Sequence, residues 1–150
     1  MSVSQHQPVR GILHVFPVRV YYEDTDAAGI VYHANYFRFA ERARTEMLRS
    51  AKIDQSTLFG VLGVRFVMKS CKIEYLKPAR LDDDLEVHTK IVCIRGVSLV
   101  ANQIVQGDQG PAAHLDSRIA CIDECGRPVR WPVEVRSALA TYLQVSQESC

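Results

Sequence analysis

The chain has 150 residues, long enough for one domain with its own core and no need of disulfides or metals. Its 47% hydrophobic and 23% charged residues exclude a largely disordered or fibrous chain, and no run of about 18 apolar residues occurs, so no integral membrane segment is expected. With 18 basic against 17 acidic residues the formal charge is only +1, and no Lys/Arg stripe forms, which excludes nucleic acid as an expected partner.

Residues 1–12 are polar and predict a flexible tail ahead of a single domain spanning the chain. No apolar run follows a basic start there, so no export signal is expected. From Phe16, the residues Phe16, Val18, Val20 and Tyr22 alternate with Pro17, Arg19, Tyr21 and Glu23, the period-2 pattern of a half-buried strand, with Pro17 pointing to an edge or strand start. The stretch Asp24-Thr25-Asp26-Ala27-Ala28-Gly29 favours local side-chain hydrogen bonds and ends that strand. Asn35 suits an N-cap, and Tyr36, Ala40, Ala43, Met47 and Ala51 then mark one apolar helical stripe. Arg38, Arg42 and Arg44 read as a solvated or interface-facing surface of that helix.

Between Val64 and Leu76 the apolar positions switch from even (Phe66, Met68) to odd (Cys71, Ile73, Tyr75), which predicts a bulge near Lys69 and Ser70. Pro78 to Asp84 reads as a loop. Leu85 to Cys93, Val97 to Gln106 and Ala112 to Asp123 read as three more strands, the last two joined by a hairpin loop at Gly107–Pro111. Glu134 to Leu143 predicts a short helix with Val135, Leu139 and Tyr142 on one side. Cys71, Cys93, Cys121, Cys125 and Cys150 are odd in number and scattered, so reduced thiols of a cytoplasmic protein are expected. Cys121 and Cys125 have no second Cys/His pair at ligand spacing, and no metal is predicted.

One strand, one long helix and four more strands give an α+β fold: the helix stripe is buried by wrapping a five-stranded antiparallel sheet around it. Several later strands are partly apolar on both faces, as expected if another subunit packs against them. Between the first strand and the helix, Asp24, Asp26 and His33 fall within ten residues around a glycine turn. An ionised aspartate can attack a carbonyl or take a proton from water, and the unpaired N–H groups of a helix start stabilise an oxyanion. The same residues also suit a merely well-capped turn, and spacing leaves both readings open.

The run Val18-Arg19-Val20-Tyr21-Tyr22-Glu23-Asp24-Thr25-Asp26-Ala27-Ala28-Gly29-Ile30-Val31-Tyr32-His33-Ala34-Asn35-Tyr36 resembles the signature of the 4-hydroxybenzoyl-CoA thioesterase family. Glu41–Arg49, Pro78–Asp83 and Arg95–Val100 resemble its Tol-Pal-associated branch, and the likeness spans roughly residues 16–123. The resemblance implies a hot-dog fold, with the long central helix wrapped by the sheet, assembled as a homodimer or homotetramer with active sites between subunits. It implies hydrolysis of an acyl-CoA thioester to free acid and CoA, without cofactor, with an acyl carrier protein as a further possible partner.

By the same resemblance Asp26 matches the nucleophile or general base, His33 matches the assisting histidine and supplies an oxyanion N–H, and Asp24 supports the turn. Tyr32, Arg95 and Ser98 are the candidate substrate contacts. The chain keeps only Arg95 of the several basic residues that precede the serine in the hydroxybenzoyl enzymes, and His33 sides with the Tol-Pal-associated branch. Glu41 is a reserve catalytic candidate, since a second hot-dog lineage uses a helix glutamate. A hot-dog acyl-thioester hydratase or dehydratase, and a non-catalytic acyl-carrier or envelope-complex interaction module, are the alternatives. Acyl specificity depends on how Phe59, Phe66 and Met68 pack.

Overall fold

The computed structural model describes residues 11–144. The expected flexible tail at 1–12 lies outside the described residues except for Gly11 and Ile12, and these two are held in place. The Gly11 N–H donates to Leu143 O at 3.0 Å and the Ile12 N–H to Thr141 O at 2.8 Å. A Cβ on residue 11 would lie 2.8 Å from Thr141 O, so only glycine lets the two segments approach this closely.

Five strands, β1 (His14–Arg19), β2 (Arg65–Tyr75), β3 (Asp84–Ile94), β4 (Ser98–Gly107) and β5 (Gly110–Ile122), form one antiparallel sheet in the order β1-β3-β4-β5-β2. Among the described residues three α-helices accompany them: α1 (Asn35–Ser50), α2 (Gln55–Thr57), which runs on into a π-helical turn at Leu58–Leu62, and α3 (Val133–Ala140). Inward positions of β3 and β4 are buried without interruption, Leu85, Val87, Thr89, Ile91 and Cys93 on one strand and Leu99, Ala101, Gln103 and Val105 on the other. Outward positions such as His88, Lys90, Val100 and Ile104 are half-buried, which accounts for the blurred two-face pattern of the sequence.

The helix α1 lies in the hollow of this sheet and buries Tyr36, Phe39, Ala40, Ala43, Met47 and Leu48. Small Ala40 and Ala43 sit in one core cluster with Val18, Val20, Val87 and Leu115, while Met47 and Leu48 join a second with Ile91, Trp131, Val135 and Leu139. Burying Phe39 completely is worth about 1.5–3 kcal/mol of transfer free energy. The predicted bulge is present, with the β2–β5 register shifting between Met68 and Ser70. A second shift, between Ile91 and Cys93, was not expected.

Three expectations need correction. Asn35 is not the N-cap: Ala34 holds that position without a side-chain cap, because the Asn35 amide is engaged elsewhere. Arg44 is not on a solvated surface; it is half-buried, and its NH1 donates to Gln103 Oε1 at 2.8 Å. Cys71, Cys121 and Cys125 carry free thiols, but Cys93 is disulfide-bonded, so reduced cysteines throughout do not hold. No helix among the described residues is long and apolar enough to cross a membrane.

Candidate active site

The strand pattern of β1 continues to buried Val20 and then gives way to a 3-10 turn at Tyr22–Asp24. Asp24 is 4% exposed, and its carboxylate is fully used. Oδ2 accepts from the Tyr21 N–H at 2.8 Å and Oδ1 from Asn35 Nδ2 at 2.6 Å, which ties the end of β1 to the first residue of α1. Its carbonyl also accepts from the Tyr32 N–H at 2.8 Å. Asp24 is thus a fastener between the two ends of the loop, as its supporting role required.

Inside that clamp the chain makes a tight loop. The Asp26 N–H donates to Ile30 O at 2.9 Å, the Gly29 N–H to Asp26 O at 3.0 Å, and Gly29 adopts φ +77, a conformation that L side chains rarely take. The Ala28 N–H donates to Asp26 Oδ1 at 2.9 Å; Oδ2 has no partner among the described residues, and the side chain is exposed. One oxygen fixes the rotamer and the other is left open. The loop is backed by the β2–β3 connection, where the Val31 N–H donates to Ala79 O at 2.8 Å.

His33 follows, and its ring sits between two aromatics: Tyr32 at 4.4 Å between centroids, and Tyr75 edge-on at 6.4 Å. The Tyr75 hydroxyl donates to His33 O at 2.9 Å, so the last residue of β2 seats the residue that precedes the helix cap. Among the described residues none accepts from the backbone N–H of His33 or Ala34. Asp26, His33, Tyr36 and Tyr75, with Leu76 and Pro78, line one open cleft of about 440 Å³. Burial pushes the Tyr36 and Tyr75 phenols above their ordinary 10.0, so both stay neutral donors at physiological pH. The cleft therefore gathers an open carboxylate oxygen, an imidazole and the His33 N–H just ahead of a helix start, a set suited to acyl transfer to water.

The other candidates lie elsewhere in the chain. Tyr32 is 46% exposed beside His33. Arg95 and Ser98 close the β3–β4 turn, the Arg95 N–H donating to Ser98 O at 2.7 Å. Ser98 is level with Ala120 of β5, whereas Tyr75 is level with Ala113; seven residues along a strand put the turn about 23 Å from the cleft. A single chain does not bring Arg95 and Ser98 to Asp26. Glu41 is exposed on α1 and lines a different cavity. Two residues that matter here were missed from the sequence, Tyr75 and the Asn35 side chain. The signal for Tyr75 was a large aromatic ending a strand just before Pro78.

The profile of the thioesterase-like superfamily matches residues 20–139. The acyl-CoA thioester hydrolase YbgC of Escherichia coli is 50% identical over 109 residues, 72% of this chain and 81% of that protein. The acyl-CoA thioesterase YbgC of Haemophilus influenzae is 43% identical over 125 residues, 82% of this chain and 91% of its own. A probable thioesterase from Bartonella henselae superposes with a TM-score of 0.78 at 35% identity, over 81% of this chain and 100% of that one. The 1,4-dihydroxy-2-naphthoyl-CoA thioesterase of Synechocystis reaches 0.80 at 19% identity over 85% of this chain and 96% of its own, a likeness of fold alone. The expected α+β hot-dog arrangement is the one seen here.

Proposed function

Because the chain belongs to the thioesterase-like superfamily, we propose that it hydrolyses an acyl-CoA thioester to the free acid and CoA, with Asp26 as the reacting carboxylate. The observation that carries this reading is the open Asp26 oxygen in the same cleft as His33, whose backbone N–H has no partner among the described residues. In one route the Asp26 oxygen attacks the thioester carbonyl, CoA leaves as thiolate, and water then hydrolyses the acyl-aspartyl anhydride. In the other the carboxylate takes a proton from water as that water attacks. Both pass through a tetrahedral oxyanion, and each backbone donor aimed at it is worth about 3 kcal/mol. His33 supports either route as a proton carrier held by its aromatic neighbours.

The working site of this reading lies between subunits. Tyr32, Tyr75 and Leu76 expose apolar surface at the cleft, and β2 is an edge strand of 11 residues exposed over most of its length. Such an edge is a template for pairing with a second copy, which would also offer Arg95 and Ser98 a route to the cleft. A homodimer or homotetramer and a cytoplasmic acyl-CoA pool belong to the same reading. The test is thiol release from saturated acyl-CoAs: wild type turns them over and Asp26→Asn loses nearly all activity while eluting at the same size. Wild-type turnover by Asp26→Asn would shift the assignment to Glu41.

A further inference from the structure

Besides the cleft, α1 and β2, with contributions from α2, β4, β5 and α3, line a second, open cavity of about 210 Å³. At about 30 Å³ per water-sized group it holds roughly seven such groups. Its walls are mostly apolar, with Met47, Leu48, Phe66, Met68, Leu99 and Ile119 among them, and Arg44 is its cation beside the polar Glu41, Thr45 and Gln55. Arg44 lies nine residues into α1, about 14 Å along the axis from the helix start beside His33. Tyr36 of α1 and Tyr75 of β2 line the cleft, and Arg44 and Met68 of the same two elements line the cavity, so one helix–strand seam carries both.

Arg44 has an unusual set of partners for a half-buried cation. Its one hydrogen bond goes to the neutral Gln103, and among the described residues no carboxylate lies within ion-pair distance. Gln103, fully buried, cannot turn away: its Nε2 donates to Ala40 O at 2.9 Å and to Thr89 Oγ1 at 3.0 Å, which fixes Oε1 toward Arg44. One terminal nitrogen is thus taken, and the edge formed by Nε and NH2 remains for a planar two-oxygen acceptor. Glu41, exposed at the rim of the cavity, does not fill that role. Leaving a desolvated cation without a directly paired counter-charge is costly, and a carboxylate arriving with the substrate would relieve it.

We infer that the cavity receives the far end of the acyl group and that Arg44 selects a chain ending in a carboxylate, so that the favoured substrate is the CoA monothioester of a dicarboxylic acid. Desolvation also holds the Arg44 guanidinium below its ordinary 12.5, with Cys71 and Glu41 opposing the shift only in part. The inference rests on the thioester hydrolase reading and adds its substrate class.

The test compares medium-chain acyl-CoAs of equal length, one ending in a methyl and one in a carboxylate, together with the free dicarboxylic and monocarboxylic acids as ligands in calorimetry. Wild type favours the carboxylate-ended thioester, and Arg44→Met lowers the ratio of the two kcat/KM values by about tenfold or more, the scale of a lost charge-assisted hydrogen bond. Arg44→Lys, which keeps the charge but not the fork, falls between them. Equal loss on both substrates in Arg44→Met, or a wild type that treats the pair alike, overturns the inference. If no thioester is cleaved, the hydrolase reading falls and the calorimetry still decides: dicarboxylate binding lost in Arg44→Met upholds the site, and absence of binding to wild type removes it.

Discussion

Asp24→Asn and Asp26→Asn are the same chemical change two residues apart, and they should fail in opposite ways. At position 24 the carboxylate accepts on both oxygens, from Tyr21 N–H and Asn35 Nδ2, and is buried. An amide keeps one acceptor and turns an NH2 toward one of two donors, so one charge-assisted hydrogen bond is replaced by a clash of donors. That costs about 1.5–3 kcal/mol, and at about 2–4 °C per kcal/mol for a chain of this size the Tm should fall by about 3–12 °C. Position 26 is exposed and gives one oxygen to the Ala28 N–H, which an amide oxygen also accepts; its stability should move by less than about 0.5 kcal/mol. Calorimetric melting and thiol release on the same preparations separate the two. Asp24→Asn should melt early yet keep measurable turnover at low temperature, and Asp26→Asn should melt like wild type and be inactive. A stability loss at 26 matching that at 24, or an unperturbed melt at 24, would refute the division of labour.

His33→Ala should lower kcat clearly but by less than Asp26→Asn, with KM less affected; an unchanged kcat would reduce His33 to a structural residue. Gly11→Ala should lower Tm, since its Cβ meets the backbone of Thr141 and Leu143, and a neutral melt would mean that the two ends separate freely. His14 sits against Tyr142 with Nδ1 buried and without a hydrogen-bond partner among the described residues, and desolvation lowers its pKa from 6.5 while Glu46 partly opposes the shift. The folded state then takes up a proton less readily than the unfolded chain. Stability is complete above pH 6.5 and falls as the pH drops below it toward the folded value. Thermal melts from neutral pH to about pH 5 should show a slope that His14→Gln reduces; an identical slope in the variant would exclude His14 as its source.

Much of this was legible before any coordinates, where a period made it so. The parity switch between Met68 and Cys71 located the β2 bulge, and the stripe from Tyr36 to Met47 located α1. The bulge at Ile91 was invisible because Ile91 and Cys93 keep the same parity; the disturbance comes from the backbone, where the Ile91 N–H donates to Tyr142 O and Ile91 O accepts from the Gln144 N–H. Asn35 was misread because its N-cap preference lost to a stronger local bond with Asp24. Arg44 was misread because a charge on a helix suggests solvent, although it follows Ala40 by one turn and flanks the buried stripe. Its partner Gln103 alternates in step with buried Ala101 and Val105, which was the available clue. The turn at Leu58–Leu62 has no period of its own and went unassigned.

The strand order also sets a schedule for synthesis. Strands β3, β4 and β5 are consecutive neighbours joined by tight turns, so they pair as soon as they emerge. Both flanking strands wait: His14 must find Thr89, and Arg65 must find Ile122. Contacts so distant along the chain carry the loop-closure entropy that slows folding. Tyr75, whose hydroxyl seats His33, is itself held by Ala113 of β5. The turn bearing Asp26 leaves the ribosome well before β5 does yet waits for β5 to acquire its shape, and no nascent chain that stops short of β5 can hold the cleft together.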